Sequence, residues 1–403
     1  MESVAAAEAA GAPVFPQPRE CPYQPTPAYQ RLGEAGPMHE VTLWNGARAW
    51  FVTGDAHARQ LLSDPRFSAD RARPEFPVVL PRFDAAIFKP LYLIGFDPPT
   101  HEVHRGLLTA EFSLRRVRAL RPAVEQLVGE RIDDMLRKGP PADLVRDFAL
   151  PVPSIVISEL LGVPYVDHDF FEEATRGLLQ AADEKAADAA GQALLDYLDK
   201  LLTIKQREPD GRVLAKLAEH LDEEITRHDL LRIALTLLVG GHDTTSMMIA
   251  LGVVTLLEHP DQLDLVRADP EKMPAAVEEL LRIVAVTDMA GVRVATEDVE
   301  IGGQVIKAGE GILVSSSMTN RDSAAYESPY TFDIGRTGSK RHLTFGFGIH
   351  QCLGQNLARM ELEVAFRLLF ERIPELRLAA GLDELPWRRG GTMQGVHELP
   401  VTW

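Results

Sequence analysis

HLTFGFGIHQCLGQNLAR, residues 342–359, sets one of the two cysteines of a 403-residue chain in a loop with three glycines. The run that follows the thiol, LGQNLARMELEVAFRLLFERI, has the apolar spacing of an amphipathic helix that begins at or just after Cys352. Unpaired N–H groups and the positive end of the helix dipole stabilise an anion there, which predicts a thiol held as thiolate. Gly346, Gly348 and Gly354 keep side chains away from the sulfur, so a flat, bulky group can approach and backbone N–H groups can point at it. Two other readings fit the same residues. His350, two positions away, could serve Cys352 as the base of a cysteine nucleophile. The thiol could also be a small buried hydrophobe in a turn. The loop alone leaves all three open.

The rest of the chain narrows the choice. With 45% hydrophobic and 25% charged residues it can bury a large core without disulfides. Lys plus Arg is 42 against 59 Asp plus Glu, a net charge of −17, which argues against a nucleic-acid binder. The start, MESVAAAEAAGAPVFPQPRE, has neither a basic opening nor a long apolar run, so no signal peptide, no membrane anchor and a cytoplasmic location are expected. Cys21 and Cys352 form no CxxC pair and no metal-cluster spacing, and Cys21 reads as a plain thiol. Apolar residues recur at helical spacing over 114–137, 190–206, 228–258 and 271–285. The clearest strands flank Gly302-Gly303 within 299–317, a hairpin signal, and the proline-rich segments 74–81 and 97–99 read as loops. The expected fold is mainly α with a small β region, one domain over 1–403, with about residues 1–14 a flexible N-terminus.

At this point the cysteine loop resembles the haem-binding loop of the cytochrome P-450 monooxygenases, with His342, Phe345, Gly346, Gly348, His350, Cys352, Gly354, Leu357, Ala358 and Arg359 at that family's positions. The resemblance implies that Cys352 is the thiolate ligand of the iron of haem b, with Phe345 packed beside the sulfur. TLLVGGHDTTSMM, residues 236–248, resembles the family's long central helix over the distal face of the haem, with Gly240, Gly241, Asp243 and Thr244 in place. Adjacent glycines weaken a helix and a Thr hydroxyl can capture a carbonyl, so a local opening is expected there. EELLR supplies Glu279 and Arg282, the family's structural ExxR pair. His101 and Arg105, one helical turn apart in DPPTHEVHRGLL, resemble a propionate-binding pair, and Arg293 and His342 resemble the other propionate partners. His104 matches no family role and reads as surface.

The implied fold is that of the family, with haem between the central distal helix and the proximal cysteine-loop helix. The implied enzyme is a haem-thiolate monooxygenase that activates dioxygen, with Asp243 and Thr244 delivering protons, and hydroxylates or epoxidises a sizeable apolar molecule of macrolide, polyketide, terpenoid or steroid type in secondary metabolism. Alternatives are a peroxide-using or non-oxygenating haem enzyme on the same fold, or a non-catalytic helper. No dinucleotide fingerprint stands between a strand and a helix, so NAD(P)H is expected to act only indirectly, through a ferredoxin and its ferredoxin reductase. Arg115, Arg116, Arg118, Arg121, Arg336, Lys340 and Arg341 are the expected basic dock for that acidic partner on a monomer. The resemblance places Val78, Val79, Leu80, Leu238, Gly241, Val286, Met289 and Met393 around the substrate, with Arg82 and Asp288 as candidate polar anchors.

Overall fold

The computed structural model describes residues 12–17, 24–89, 91–179, 181, 183–389 and 391–403; Cys21 and residues 1–11 lie outside them. Val14, expected in a flexible terminus, is instead paired with Thr42 in a strand. The helices that position the site are α1 (Thr100–Thr109), α2 (Leu114–Lys138), α3 (Pro151–Leu161), α4 (Glu184–Arg207), α5 (Arg227–Glu258), α6 (Met273–Val284) and α7 (Gln355–Arg372).

Helix α5 is the axis of the molecule. Its start is fixed by a capping box: the Asp229 N–H donates to Thr226 Oγ1 at 3.1 Å, and the Thr226 N–H donates to Asp229 Oδ2 at 3.0 Å. Beyond the cap it is apolar on nearly every face, because α3, α4, α6 and α7 all pack against it. Among the described residues α5 alone is long and apolar enough to cross a membrane, and 78% of its most apolar stretch is buried inside the protein. The helix is continuous through Gly240 and Gly241, so the expected opening takes a milder form. Thr244 Oγ1 donates to the Gly240 carbonyl at 2.7 Å without breaking the α-helical run.

Six strands form a mixed sheet on one flank: β1 (Val14–Phe15), β2 (Met38–Leu43), β3 (Arg48–Val52), β4 (Phe67–Ser68), β5 (Met289–Ala295) and β6 (Gly311–Ser315), in the spatial order β1-β2-β3-β6-β5-β4. Gly302 and Gly303, at φ 58° and 77°, turn the small hairpin that pairs Val299–Ile301 with Gln304–Ile306, as the sequence predicts. Strand β5 carries Arg293 and also Met289 and Val292, which line a chamber that α5 lines as well.

Candidate active site

The cysteine loop is held from three sides. The Cys352 N–H donates to the Phe345 carbonyl at 2.8 Å, closing the loop on itself. Phe345 lies under Arg359, whose guanidinium carbon is 4.5 Å from the ring centroid. Gly346 and Gly348 are glycine for backbone reasons: their φ values are 69° and 74°, and a Cβ would stand 3.1 Å from the Ala290 carbonyl or 2.7 Å from the Leu62 carbonyl. Gly354 differs, since a Cβ there meets nothing within 4 Å. Only this third glycine leaves open space in the manner the sequence suggested.

Cys352 is accessible to small molecules yet walled in on nearly every side, as a group at the bottom of a slot would be. Burial pushes its thiol above the ordinary range. The N–H groups of Gly354 and Gln355 and the charges of Arg105 and Arg359 pull it down without offsetting the burial. The helix terminus is aimed at the sulfur as expected, but it does not by itself make a thiolate. A cation bonded to the sulfur would complete that requirement.

A cluster of basic groups borders the loop. His101 and His350 have ring centroids 4.1 Å apart, and among the described residues neither nitrogen of His101 nor Nδ1 of His350 has a partner. Burial, reinforced by Arg105 and Arg293, drives His101 down to about 4; burial with Arg293 and His101 drives His350 to about 3. Arg105 donates to the Gln351 carbonyl at 2.7 Å, while burial lowers Arg293 to about 10. Asp97, held by Ser68 and the Ala69 N–H, is the one described carboxylate acting on His101, His350 and Arg293. Arg293 donates to the Val292 carbonyl at 2.8 Å, so among the described residues both guanidiniums meet only backbone carbonyls, and together with the imidazole nitrogens left without partners they fit a site for an anionic group.

His342 does not belong to that cluster. Its Nε2 bonds Glu278 Oε2 at 3.2 Å, its Nδ1 accepts from the Thr344 N–H at 3.3 Å, and its ring is buried. Both nitrogens are thus used within the protein, and His350 stands where the sequence reading put His342. His104, read as surface, is buried and stacked on Tyr92 at 5.6 Å.

Glu279 and Arg282 form a wholly buried pair at 2.7 and 2.8 Å. Arg336 joins them, its Nε 3.0 Å from Glu279 Oε1, and Ser339 Oγ donates to the same carboxylate at 3.0 Å. Arg336 is therefore not part of a surface dock. Arg341 is paired with Asp55 at 2.7 Å.

Helix α5 presents Leu235, Thr236, Val239, Gly240 and Thr244 to a chamber of about 310 Å³. Val78, Val79, Met289 and Met393 line it as expected. Leu80, Leu238, Gly241 and Val286 do not. Leu238 and Gly241 sit on other faces of α5, a Cβ on Gly241 standing 3.0 Å from Ile157 Cδ1; Leu80 and Val286 are buried in the surrounding core. Asp288 is also fully buried, accepting from Gln394 Nε2 at 2.8 Å, so it is no substrate anchor. Asp243 turns from the chamber toward Arg388, which grips it in two hydrogen bonds of 2.6 and 3.0 Å. Arg388 lies 145 residues along the chain, where no local pattern marks it.

The family described as "Cytochrome P450" matches residues 166–373. The chain is 52% identical to "Cytochrome P450 105A3" of Streptomyces carbophilus over 97% of its own length and 96% of that protein's. It is 50% identical to "Vitamin D3 dihydroxylase" of Streptomyces griseolus, covering 97% of each. The structure of the mycinamicin VIII C21 methyl hydroxylase MycCI from Micromonospora griseorubida, bound to mycinamicin VIII, matches with a TM-score of 0.91 at 37% identity, over 97% of this chain and 100% of that one. This protein belongs to the cytochrome P450 family and is a P450 monooxygenase.

Proposed function

We propose that the slot between α5 and the cysteine loop holds haem b, with the Cys352 sulfur on its iron, and that the chamber above oxidises a sizeable apolar small molecule by hydroxylation or epoxidation. Bound haem supplies dioxygen activation, and its reactivity belongs to the cofactor. The chain's residues bind, orient and move protons. His101, Arg105, Arg293 and His350 take the propionates, since they are the buried cations and unpartnered imidazoles at the slot's edge. Phe345 and Gly346 shape the loop beside the sulfur, while Gly240 and Gly354 leave open space for the macrocycle, a Cβ at either meeting nothing within 4 Å. Glu279 and Arg282 brace the core. Thr244 faces the chamber and passes a proton to the reacting oxygen; Asp243 resupplies it after leaving Arg388.

The observation that carries this reading is the meeting of Cys352, two amide donors and a cluster of cations and unpartnered imidazoles that Asp97 alone opposes among the described carboxylates. Electrons arrive through a ferredoxin and its NAD(P)H-dependent reductase at the cysteine side, where Arg115 and Arg118 are exposed. One domain over the chain is supported by a core cluster that joins residues from Ala85 to Val401, and the cytoplasm suits such partners. Relatives named for vitamin D3 and mycinamicin VIII fit a natural-product substrate.

The test is the absorbance of the purified protein after reduction under carbon monoxide. A thiolate-haem band is expected, and Cys352→Ala should lose it; a protein that binds no haem after supplementation would favour the helper reading. In the loaded enzyme, Thr244→Ala should let oxygen consumption outrun product. Unchanged coupling removes Thr244 from proton delivery.

A further inference from the structure

Three cations line the chamber, and they differ in what neutralises them. Lys89 is paired with Asp84. Arg232 donates to the Ile87 carbonyl at 2.9 Å and the Ala86 carbonyl at 3.4 Å. Arg71 makes no hydrogen bond and no ion pair among the described residues. Its stem packs on Gly95, where a Cβ would stand 3.1 Å from Arg71 Cγ, and its guanidinium carbon is 5.8 Å from the Phe76 ring centroid. The one charge acting on it is Arg293, of the same sign, and burial pushes Arg71 down to about 10. Just behind the wall, Arg82 repeats the situation: its Nη2 is 3.7 Å from the place of a Gly391 Cβ, its Nε is buried without a partner, and burial lowers it with no carboxylate acting in return.

A guanidinium held in an apolar chamber without a counter-ion is costly, and natural proteins keep such groups where a ligand supplies the missing charge. Two sources of negative charge are available. The cofactor's two carboxylates already have Arg105 and Arg293 with two imidazoles, His101 and His350. Arg71 is surplus to that set, and it lines the chamber together with Val78, Met289 and Thr244 rather than belonging to the cysteine loop. Apart from the three cations, the lining is mostly apolar, with Phe76, Pro77, Val78 and Val79 closest to Arg71 in sequence.

We propose that the chamber selects a substrate that is apolar along most of its length and carries a carboxylate, which pairs with Arg71. Arg82 adds positive potential from the Gly391 side. The pairing fixes one end of the molecule and so determines which carbon lies below Thr244. The inference rests on the reading of the chamber as the substrate site of a haem enzyme.

The test compares lauric acid with methyl laurate, titrated into the full-length haem-loaded protein at low ionic strength, with binding read both from the haem spectrum and by calorimetry. Lauric acid should bind roughly ten- to a hundredfold tighter than the ester. Arg71→Gln should erase that difference by weakening the acid while leaving the ester, and Arg71→Lys should keep part of it. Equal binding of acid and ester to the wild-type protein, or binding of neither, overturns the proposal even where the glutamine variant does not fold. So does an Arg71→Gln variant that sheds haem to apomyoglobin faster, since Arg71 would then serve the cofactor. A protein without any haem band would instead sink the functional reading itself.

Discussion

Glu361 on α7 is 3% exposed and its Oε2 has no hydrogen-bond partner, so burial pushes its carboxyl up to about 8. The unfolded chain releases this proton near its ordinary 4.5, and the folded chain holds it until about 8. The resulting stabilisation is complete below the unfolded value and is lost as pH rises through the folded one, by roughly 3 to 5 kcal/mol at most. Glu361→Gln should therefore unfold at the same urea concentration as the wild type near pH 5 and at a higher one near pH 9. Parallel behaviour at both pH values would remove Glu361 as the cause. Glu279 shows the opposite design, a buried carboxylate met by Arg282, Arg336 and Ser339. Its bond to Arg282 was legible as a three-residue spacing, whereas Arg336 read as surface charge because its partner is 57 residues away. His342 was misplaced for a similar reason. Its motif position is visible in sequence, but Glu278, 64 residues earlier, decides where the ring points.

Between elements, the α5–α7 crossing depends on Gly252, where a Cβ would overlap the ring of Phe366. Gly252→Ala should destabilise the protein by about 1 to 3 kcal/mol, read as a lower urea midpoint, because a packed core has no room for an extra methyl. Gly106→Ala on α1 is the control: nothing lies within 4 Å and the position is exposed, so replacing a helical glycine there should stabilise by about 0.5 to 1 kcal/mol. Equal effects from the two changes would show that packing at the crossing is not what sets the cost. Helices of this kind were readable because one face is apolar: 114–137 and 228–258 match Leu114–Lys138 and Arg227–Glu258 within a residue. Helix α4 begins at Glu184 rather than 190, since EKAADAAG lacks apolar contrast and its marker is the Asp183 cap on the Ala186 N–H. The hairpin of β2 and β3, which turns at Asn45-Gly46, is absent from the sequence reading, and the parallel pairing of Ala49–Val52 with Gly311–Val314 joins segments that no local pattern connects.

For the whole molecule, a net charge of −17 coexists with a basic face beside the cysteine. Helix α2 lies along α7, tied by Arg121 to Glu363 at 3.3 Å and by Arg367 to Glu125 at 2.9 Å, and Arg105 of α1 reaches the Gln351 carbonyl. Of the seven basic residues that the sequence suggested for a dock, Arg336 and Arg341 are spent on Glu279 and Asp55, Arg121 on Glu125 and Glu363, and Arg116 lies 3.5 Å from Glu111. Arg115, Arg118 and Lys340 remain exposed, and Leu114 and Ile349 stand out of the surface at 56% and 50% exposure. Exposed cations and apolar side chains on α2 and near the cysteine in sequence suit an acidic partner that is steered in and then held briefly. Turnover driven by a ferredoxin should therefore slow as salt shortens the reach of these charges, while binding of a neutral ester to the chamber should not change. The double variant Arg115→Glu and Arg118→Glu should raise the KM for ferredoxin roughly tenfold with little change in the ester titration. If both rate and KM ignore salt and charge reversal, the electron donor approaches elsewhere, and the exposed arginines of α2 are ordinary solvated charges.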